Sequence, residues 1–296
     1  MRNQIALIRI KVFVLLSTLI LTPLYTIGQS KEIHKQGFYV SKASFKATYK
    51  PIDSIGFAIK DKDTLIQVKE LHRPEGKPVL YEYKDSTFLE VYKKIAFRQI
   101  HKDSSNSKPM KYWKDEIKIY FSKSISSSMK REFMKFSHFI DQEVDSLKIS
   151  KVNKLEDSNY VIYNDIDYQF LDKMKDYTKS DYWVSWNEKN QIERGYIRIV
   201  KEKLFSEKLA IQKMKELFIG SLGWFNFNSE LDCESYFAKC YSDNKHLTLL
   251  DIEILKYHYS YGICKGTRIK TFEMQHKESK KLLKKHNSKI YFYHLD

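Results

Sequence analysis

The chain has 296 residues, 42% of them hydrophobic and 15% aromatic, enough for one large or two modest domains around a sizeable core. Nine glycines argue against a loop-dominated fold, and three cysteines fit one disulfide and a spare thiol rather than a disulfide-dense scaffold. The formal charge of +15 attracts anions in general, but the lysines are spread widely and read as a solvated surface, so nucleic acid is not an expected partner.

In chain order, Arg2, Arg9 and Lys11 form a basic segment ahead of the apolar run Val12–Leu24, with Thr26 and Gly28 placed like the −3 and −1 positions of a signal-peptide cleavage site. The run is shorter than the ~20 residues a spanning helix needs. Cleavage near Gly28 is expected, giving an exported, periplasmic or secreted protein without stable membrane insertion. No cysteine sits there to carry a lipid.

Beyond it, Ser54–Ile59 and Thr64–Val68 read as short strands, and Pro74, Gly76 and Pro78 as a loop. Phe88, Val91, Tyr92, Ile95 and Ile100 recur at helical spacing, and the run Lys102–Pro109 is the best linker. Ile117–Phe121 alternates like a strand. Ser126 caps a helix whose stripe runs Met129, Phe133, Phe136, Ile140, Val144, Leu147. Tyr160–Tyr163 is another strand, and Tyr182–Trp186 pairs with Tyr196–Val200 across residues 187–195. Ser206 caps a helix with Ala210, Met214, Leu217, Phe218 and Ser221 on one face, expected to end with Gly223 in the C′ position. A last long helix begins at Thr248, and the densest charge cluster follows at Lys277, Lys280, Lys281, Lys284 and Lys285. This order implies an α+β fold.

Cys233 and Cys240 are the near pair for a disulfide, with Cys264 the alternative partner for either. A metal site is the competing reading, but no CxxC and no neighbouring histidine supports it.

Residues 216–227 carry the frame of a zinc-protease helix without its chemistry. A metzincin needs His-Glu-x-x-His-x-x-Gly-x-x-His. With Gly223 at the turn glycine, the ligand positions fall on Glu216, Gly220 and Asn226, and the general-base position on Leu217. Glycine has no side chain to coordinate a metal and leucine accepts no proton, so neither zinc nor another cofactor is expected. Tyr112–Tyr120 resembles the opening strand of that fold, Ser235-Tyr236-Phe237 the Met-turn with Phe237 for the methionine, and Leu247-Thr-Leu-Leu-Asp251…Leu255…Tyr259 the start of its final helix, with Gly266 after it. Over residues 110–268 the chain resembles the metzincin catalytic domain, and more closely a bacterial envelope domain family of unknown function that keeps the frame but lacks the histidines. The resemblance implies a metzincin-like mixed sheet with an active-helix equivalent and a C-terminal helix, preceded by a small N-terminal region. The implied divisions are a signal peptide 1–28, an N-terminal region 29–109, the degenerate domain 110–268 and a basic extension 269–296.

Other chemistry is absent or weak. No histidines are paired at i, i+4 on a helix, His258 reads as structural, and there is no Gly-x-Ser-x-Gly and no phosphate loop. Asp165 and Asp167 pair as abundant acids do by chance. Two function classes survive: a non-catalytic module whose cleft, lined by Trp224, Phe225, Asn226, Phe227 and Tyr236, holds an envelope peptide or glycan; or a hydrolase using Glu216 as acid or base in the same cleft.

Overall fold

The computed structural model describes residues 38–42, 49–60, 63–71, 76–99, 107–174, 176, 178–260, 262–263, 265–286 and 290–294. The expected signal segment, His34, His72, His101, most of the linker and Cys264 lie outside these. The chain divides into two units, residues 1–73 and 74–296.

In the first unit, β1 (Phe38–Ser41), β2 (Ser54–Lys60) and β3 (Asp63–Val68) form an antiparallel sheet in the order β1-β3-β2. Pro51–Asp53 makes one 3-10 turn before β2, and Asp53 Oδ2 accepts the Lys50 N–H at 2.7 Å.

The second unit is built on a six-stranded sheet in which β5 (Tyr112–Trp113), β10 (Gln191–Ile199), β8 (Tyr160–Asn164), β6 (Ile117–Phe121) and β7 (Ile149–Lys151) lie side by side and parallel. Only β9 (Asp181–Trp186) runs antiparallel, along the other edge of β10. The fold is α+β with a mixed sheet, and five α-helices occur among the described residues. Strand β8 is central and buried along its whole length. Its side chains alternate, as a strand's must. Tyr160 and Ile162 enter the main core, while Val161 and Tyr163 enter a smaller cluster with Phe170 and Met174.

Helix α1 (Ser86–Ala96) is capped by Asp85, whose carboxylate accepts the Phe88 N–H; α2 (Ser127–Glu143) by Ser126; α3 (Glu207–Gly223) by Ser206; and α4 (Leu249–Tyr259) by a Thr248/Asp251 capping box. Helix α5 (Ile269–His286) and β11 (Tyr291–His294) complete the unit. Helix α3 packs on β10, β9 and β5, and α2 packs on α3 and β7.

Several expectations change. Pro78 is not in a loop but in β4 (Lys77–Leu80), opposite Tyr293 of β11; a two-stranded ribbon tolerates the missing N–H that a central strand would not. Helix α2 stops at Glu143, so Val144 and Leu147 are buried from a loop. The β9–β10 connection is the tight turn at residues 187–190, not the longer stretch to 195, because β10 already begins at Gln191. Gly223 is not the C′ residue: it is the last helical residue, and Trp224 takes the left-handed conformation (φ 51°). A glycine is needed at 223 for space, since a β-carbon there would lie 2.3 Å from the Phe225 ring. The basic residues after 268 form α5, with Ile269, Phe272, His276 and Ser279 buried on one face. No helix among the described residues is long and apolar enough to cross a membrane.

Candidate functional site

Helix α3 ends inside the protein, where its last carbonyls have no water to turn to and need donors from the fold. Gly220 O accepts from Trp224 N–H and, at 2.8 Å, from Phe225 N–H. Ser221 O accepts from Trp113 Nε1–H at 3.3 Å, and Leu222 O from the Tyr259 hydroxyl at 2.5 Å. Past the helix, Arg98 Nη1 donates to Trp224 O at 3.1 Å and Phe225 O at 3.3 Å, and the Tyr182 hydroxyl donates to Phe225 O at 3.3 Å. Ser221 Oγ donates to Phe218 O at 2.7 Å, which leaves it to accept the Tyr160 hydroxyl at 2.6 Å.

The positions that would face a metal in the zinc-protease frame are occupied as follows. A β-carbon on Gly220 would lie 2.9 Å from Tyr182 Cε1 and 3.1 Å from Phe227 Cζ, so two aromatic rings close that face of the helix. Leu217 is buried in the main core. Glu216 is half-buried and ion-paired with Lys213 Nζ at 3.2 Å, one turn back on the same helix. Asn226 donates its N–H to Ile95 O at 3.0 Å and lines a separate recess with Phe227 and Asn228. Among the described residues no three His, Cys, Asp or Glu are placed to share a metal ion.

The five residues predicted to line one cleft are distributed over different environments. Phe225 is core, packed edge-on against Phe237 (centroids 5.2 Å) and His258 (4.6 Å). Trp224 lies between the Arg98 guanidinium, 4.4 Å from its ring, and Trp186 at 4.9 Å; Trp186 in turn carries Lys111 Nζ at 4.3 Å. The result is a ladder Lys111–Trp186–Trp224–Arg98 with a cation at each end, a favourable pairing with the electron-rich ring faces. Trp186 is 36% exposed and Trp224 half-buried, so the ladder reaches solvent. Tyr236 is 3% exposed and borders a third place, a depression of about 480 Å³ with Lys208, Lys215 and Lys245. Burial first, then the Glu216 and Asp251 carboxylates, push its phenol up.

The Ser235–Phe237 turn is held by groups the sequence pattern did not single out for this task. Asp251 Oδ1 accepts the Ser235 hydroxyl at 2.5 Å, while Oδ2 accepts Tyr236 N–H at 3.0 Å and Thr248 N–H at 3.2 Å. Ser235 Oγ accepts Phe237 N–H at 2.9 Å. From the other side, Lys245 Nζ donates to Ser235 O at 2.9 Å and Ala238 O at 2.8 Å. Burial raises the Asp251 carboxyl, which its hydrogen bonds oppose, and burial pulls the Lys245 ammonium down. The Cys233–Cys240 disulfide closes the same loop. The Thr248-x-x-Asp251 pattern was the one available signal, and it announces the helix cap, not the second use of the carboxylate.

His258 is fully buried. Its Nε2 faces Lys111 O at 2.8 Å, and a carbonyl only accepts, so Nε2 carries the proton and Nδ1 accepts from the Tyr92 hydroxyl at 3.0 Å. Burial lowers its pKa to about 3. His276 sits between the Tyr81 (2.7 Å) and Tyr257 (2.9 Å) hydroxyls, and burial lowers it to about 4. Both are neutral packing residues with satisfied nitrogens.

No protein-family model matches the chain, and no curated protein matches it either.

Proposed function

We propose that this is an exported, non-catalytic binding module of the bacterial cell envelope, a metzincin-like frame in which packed side chains replace the metal centre, and that its ligand is an envelope peptide or glycan. The observation that carries the reading is the closure of Gly220 by the Tyr182 and Phe227 rings, with Leu217 turned into the core. Coordination and proton abstraction both lack a group there, and the space is filled. The mixed sheet with one antiparallel edge strand, α3 beneath it, the clamped 235–237 turn and α4 beyond support the metzincin-like frame. The Cys233–Cys240 disulfide supports export, since such bonds persist in oxidising compartments, as does the apolar segment Val12–Leu24.

Binding then falls to the solvent-reaching aromatic ladder and the adjoining 226–230 segment. Tryptophan rings stack on sugars and grip apolar side chains. The test is binding of envelope glycan and peptide fragments to the purified protein, wild type against Trp224→Ala and Glu216→Gln, with elemental analysis for zinc alongside. Weakened binding in Trp224→Ala, unchanged binding in Glu216→Gln and no stoichiometric zinc are expected. Stoichiometric zinc, or cleavage of a fragment that Glu216→Gln abolishes, would overturn it.

A further inference from the structure

Between the end of α1 and the segment that follows α3 lies a recess of about 330 Å³, within the size range of small-ligand sites. Its walls include Lys94, Asn226, Phe227, Asn228, Glu230 and Lys239. The backbone fixes it firmly. Asn226 N–H bonds Ile95 O at 3.0 Å, Asn228 N–H bonds Phe237 O at 2.8 Å, and Lys239 N–H bonds Asn228 O at 3.0 Å. These bonds tie the recess to α1 and, through residues 237–239, to the disulfide-closed loop.

Its polar groups are unequally satisfied. Lys94 Nζ pairs with both Glu230 oxygens, at 2.6 and 2.8 Å, so those two charges cancel. Asn228 is 6% exposed, and its Oδ1 accepts Glu230 N–H at 3.0 Å. That bond settles the orientation of the amide, since a flipped carboxamide would set one N–H against another. The Asn228 Nδ2 is therefore a donor, and it is buried without a partner among the described residues. Buried donors are normally satisfied, and one left over costs about 1–3 kcal/mol. Beside it, no hydrogen bond among the described residues uses the Asn226 carboxamide, and Lys239 has no carboxylate partner there.

We infer that this recess is a carboxylate-binding site, with Asn228 Nδ2, the Asn226 amide and the Lys239 ammonium donating to the two oxygens and Phe227 against the apolar stem of the ligand. The surplus is of donors and of one positive charge, which matches an acceptor-rich monoanion better than a doubly charged phosphate. The inference rests on the reading of the chain as a binding module and narrows it to one chemistry. Two envelope sources present it: the C-terminus of a peptide and the carboxylate of an acidic sugar.

The experiment titrates the purified, 15N-labelled protein with N-acetyl-alanyl-alanine, its C-terminal amide, glucuronate and inorganic phosphate, following the Asn226 and Asn228 side-chain NH2 resonances. At least one carboxylate probe should shift both resonances to saturation and bind about tenfold or more tightly than the peptide amide and phosphate. Which of the two binds identifies the source. Lys239→Gln, an exposed substitution, should weaken that probe about tenfold, and Asn228→Asp, which turns the donor into a second anion, should abolish binding. If Asn228→Asp does not fold, the wild-type shifts and Lys239→Gln still decide. The inference is overturned if the amide binds as well as the acid, if neither acid shifts the Asn228 resonance, or if Lys239→Gln binds like wild type. Failure here, with fragment binding still sensitive to Trp224→Ala, removes the carboxylate assignment and leaves the binding module standing; loss of both removes both.

Discussion

Asp251 holds Ser235 and Tyr236 with the same carboxylate that caps its own helix: Oδ1 takes the Ser235 hydroxyl at 2.5 Å and Oδ2 the Tyr236 N–H at 3.0 Å. A turn and a helix start thus share one buried anion. Replacing Asp251 by Ala strands several donors at once, each a charge-assisted bond. Asp251→Ala should lower stability by about 3–5 kcal/mol in urea denaturation, and Ser235→Ala by about 1–2 kcal/mol. If the two replacements cost the same, the carboxylate is not the centre of the network.

Acid should destabilise the fold before it protonates most carboxylates. An unfolded histidine binds its proton near pH 6.5, whereas folded His276 waits until about 4 and folded His258 until about 3. Between those values the unfolded chain binds more protons, so stability is complete above about pH 6.5 and falls as the pH drops toward 4, by several kcal/mol for the pair. Asp251, whose carboxyl burial raises, contributes with the opposite sign and offsets part of the loss. Urea midpoints taken from pH 7.5 to 4 should show the decline, and His276→Gln should flatten it.

The left-handed backbone of Trp224 separates conformation from contact. Trp224→Ala and Trp224→Gly both remove the ring from between Arg98 and Trp186, but only glycine takes φ 51° without strain. The glycine variant should be more stable than the alanine variant by about 1 kcal/mol. Gly223→Ala, which drives a β-carbon to 2.3 Å from the Phe225 ring, should cost about 1–3 kcal/mol as the ring is displaced. Chemical denaturation of the three proteins resolves both effects.

Cys233 and Cys240 are bonded across a separation of seven residues. A loop that short constrains the unfolded chain by about 2–3 kcal/mol, so Cys233→Ser with Cys240→Ser should lower the melting temperature by several degrees. Alkylation of the unreduced protein should label only Cys264, as read by peptide mapping.

Where the sequence was readable, one residue's neighbours along the chain decided its fate. Ser126 and the spacing Met129–Phe133–Ile140 suffice to place α2, alternation suffices for β6, and short runs rich in aromatic and β-branched residues suffice for β8 and β9. Strand β7 has three residues and no periodicity to detect, and it exists because β6 offers it an edge. Helix α5 did carry a 3–4-residue spacing in Ile269, Phe272, His276 and Ser279, but a histidine, a serine and the flanking lysines hide an apolar stripe. At the candidate site, the lack of a base at Leu217 and of a ligand at Gly220 was legible. What fills the space was not, because Tyr182 comes from another strand and Phe227 from beyond the helix end. The recess around Asn228 was equally hidden, since its walls come from α1, the 226–230 segment and Lys239.

The pairing of β4 with β11 joins Lys77–Leu80 to Tyr291–His294, nearly the whole length of the second unit apart. Closing so long a stretch is entropically unfavourable until the intervening chain has condensed, and distant pairings of this kind slow folding. This ribbon therefore assembles late, once the sheet and helices between its two strands have condensed and brought them together.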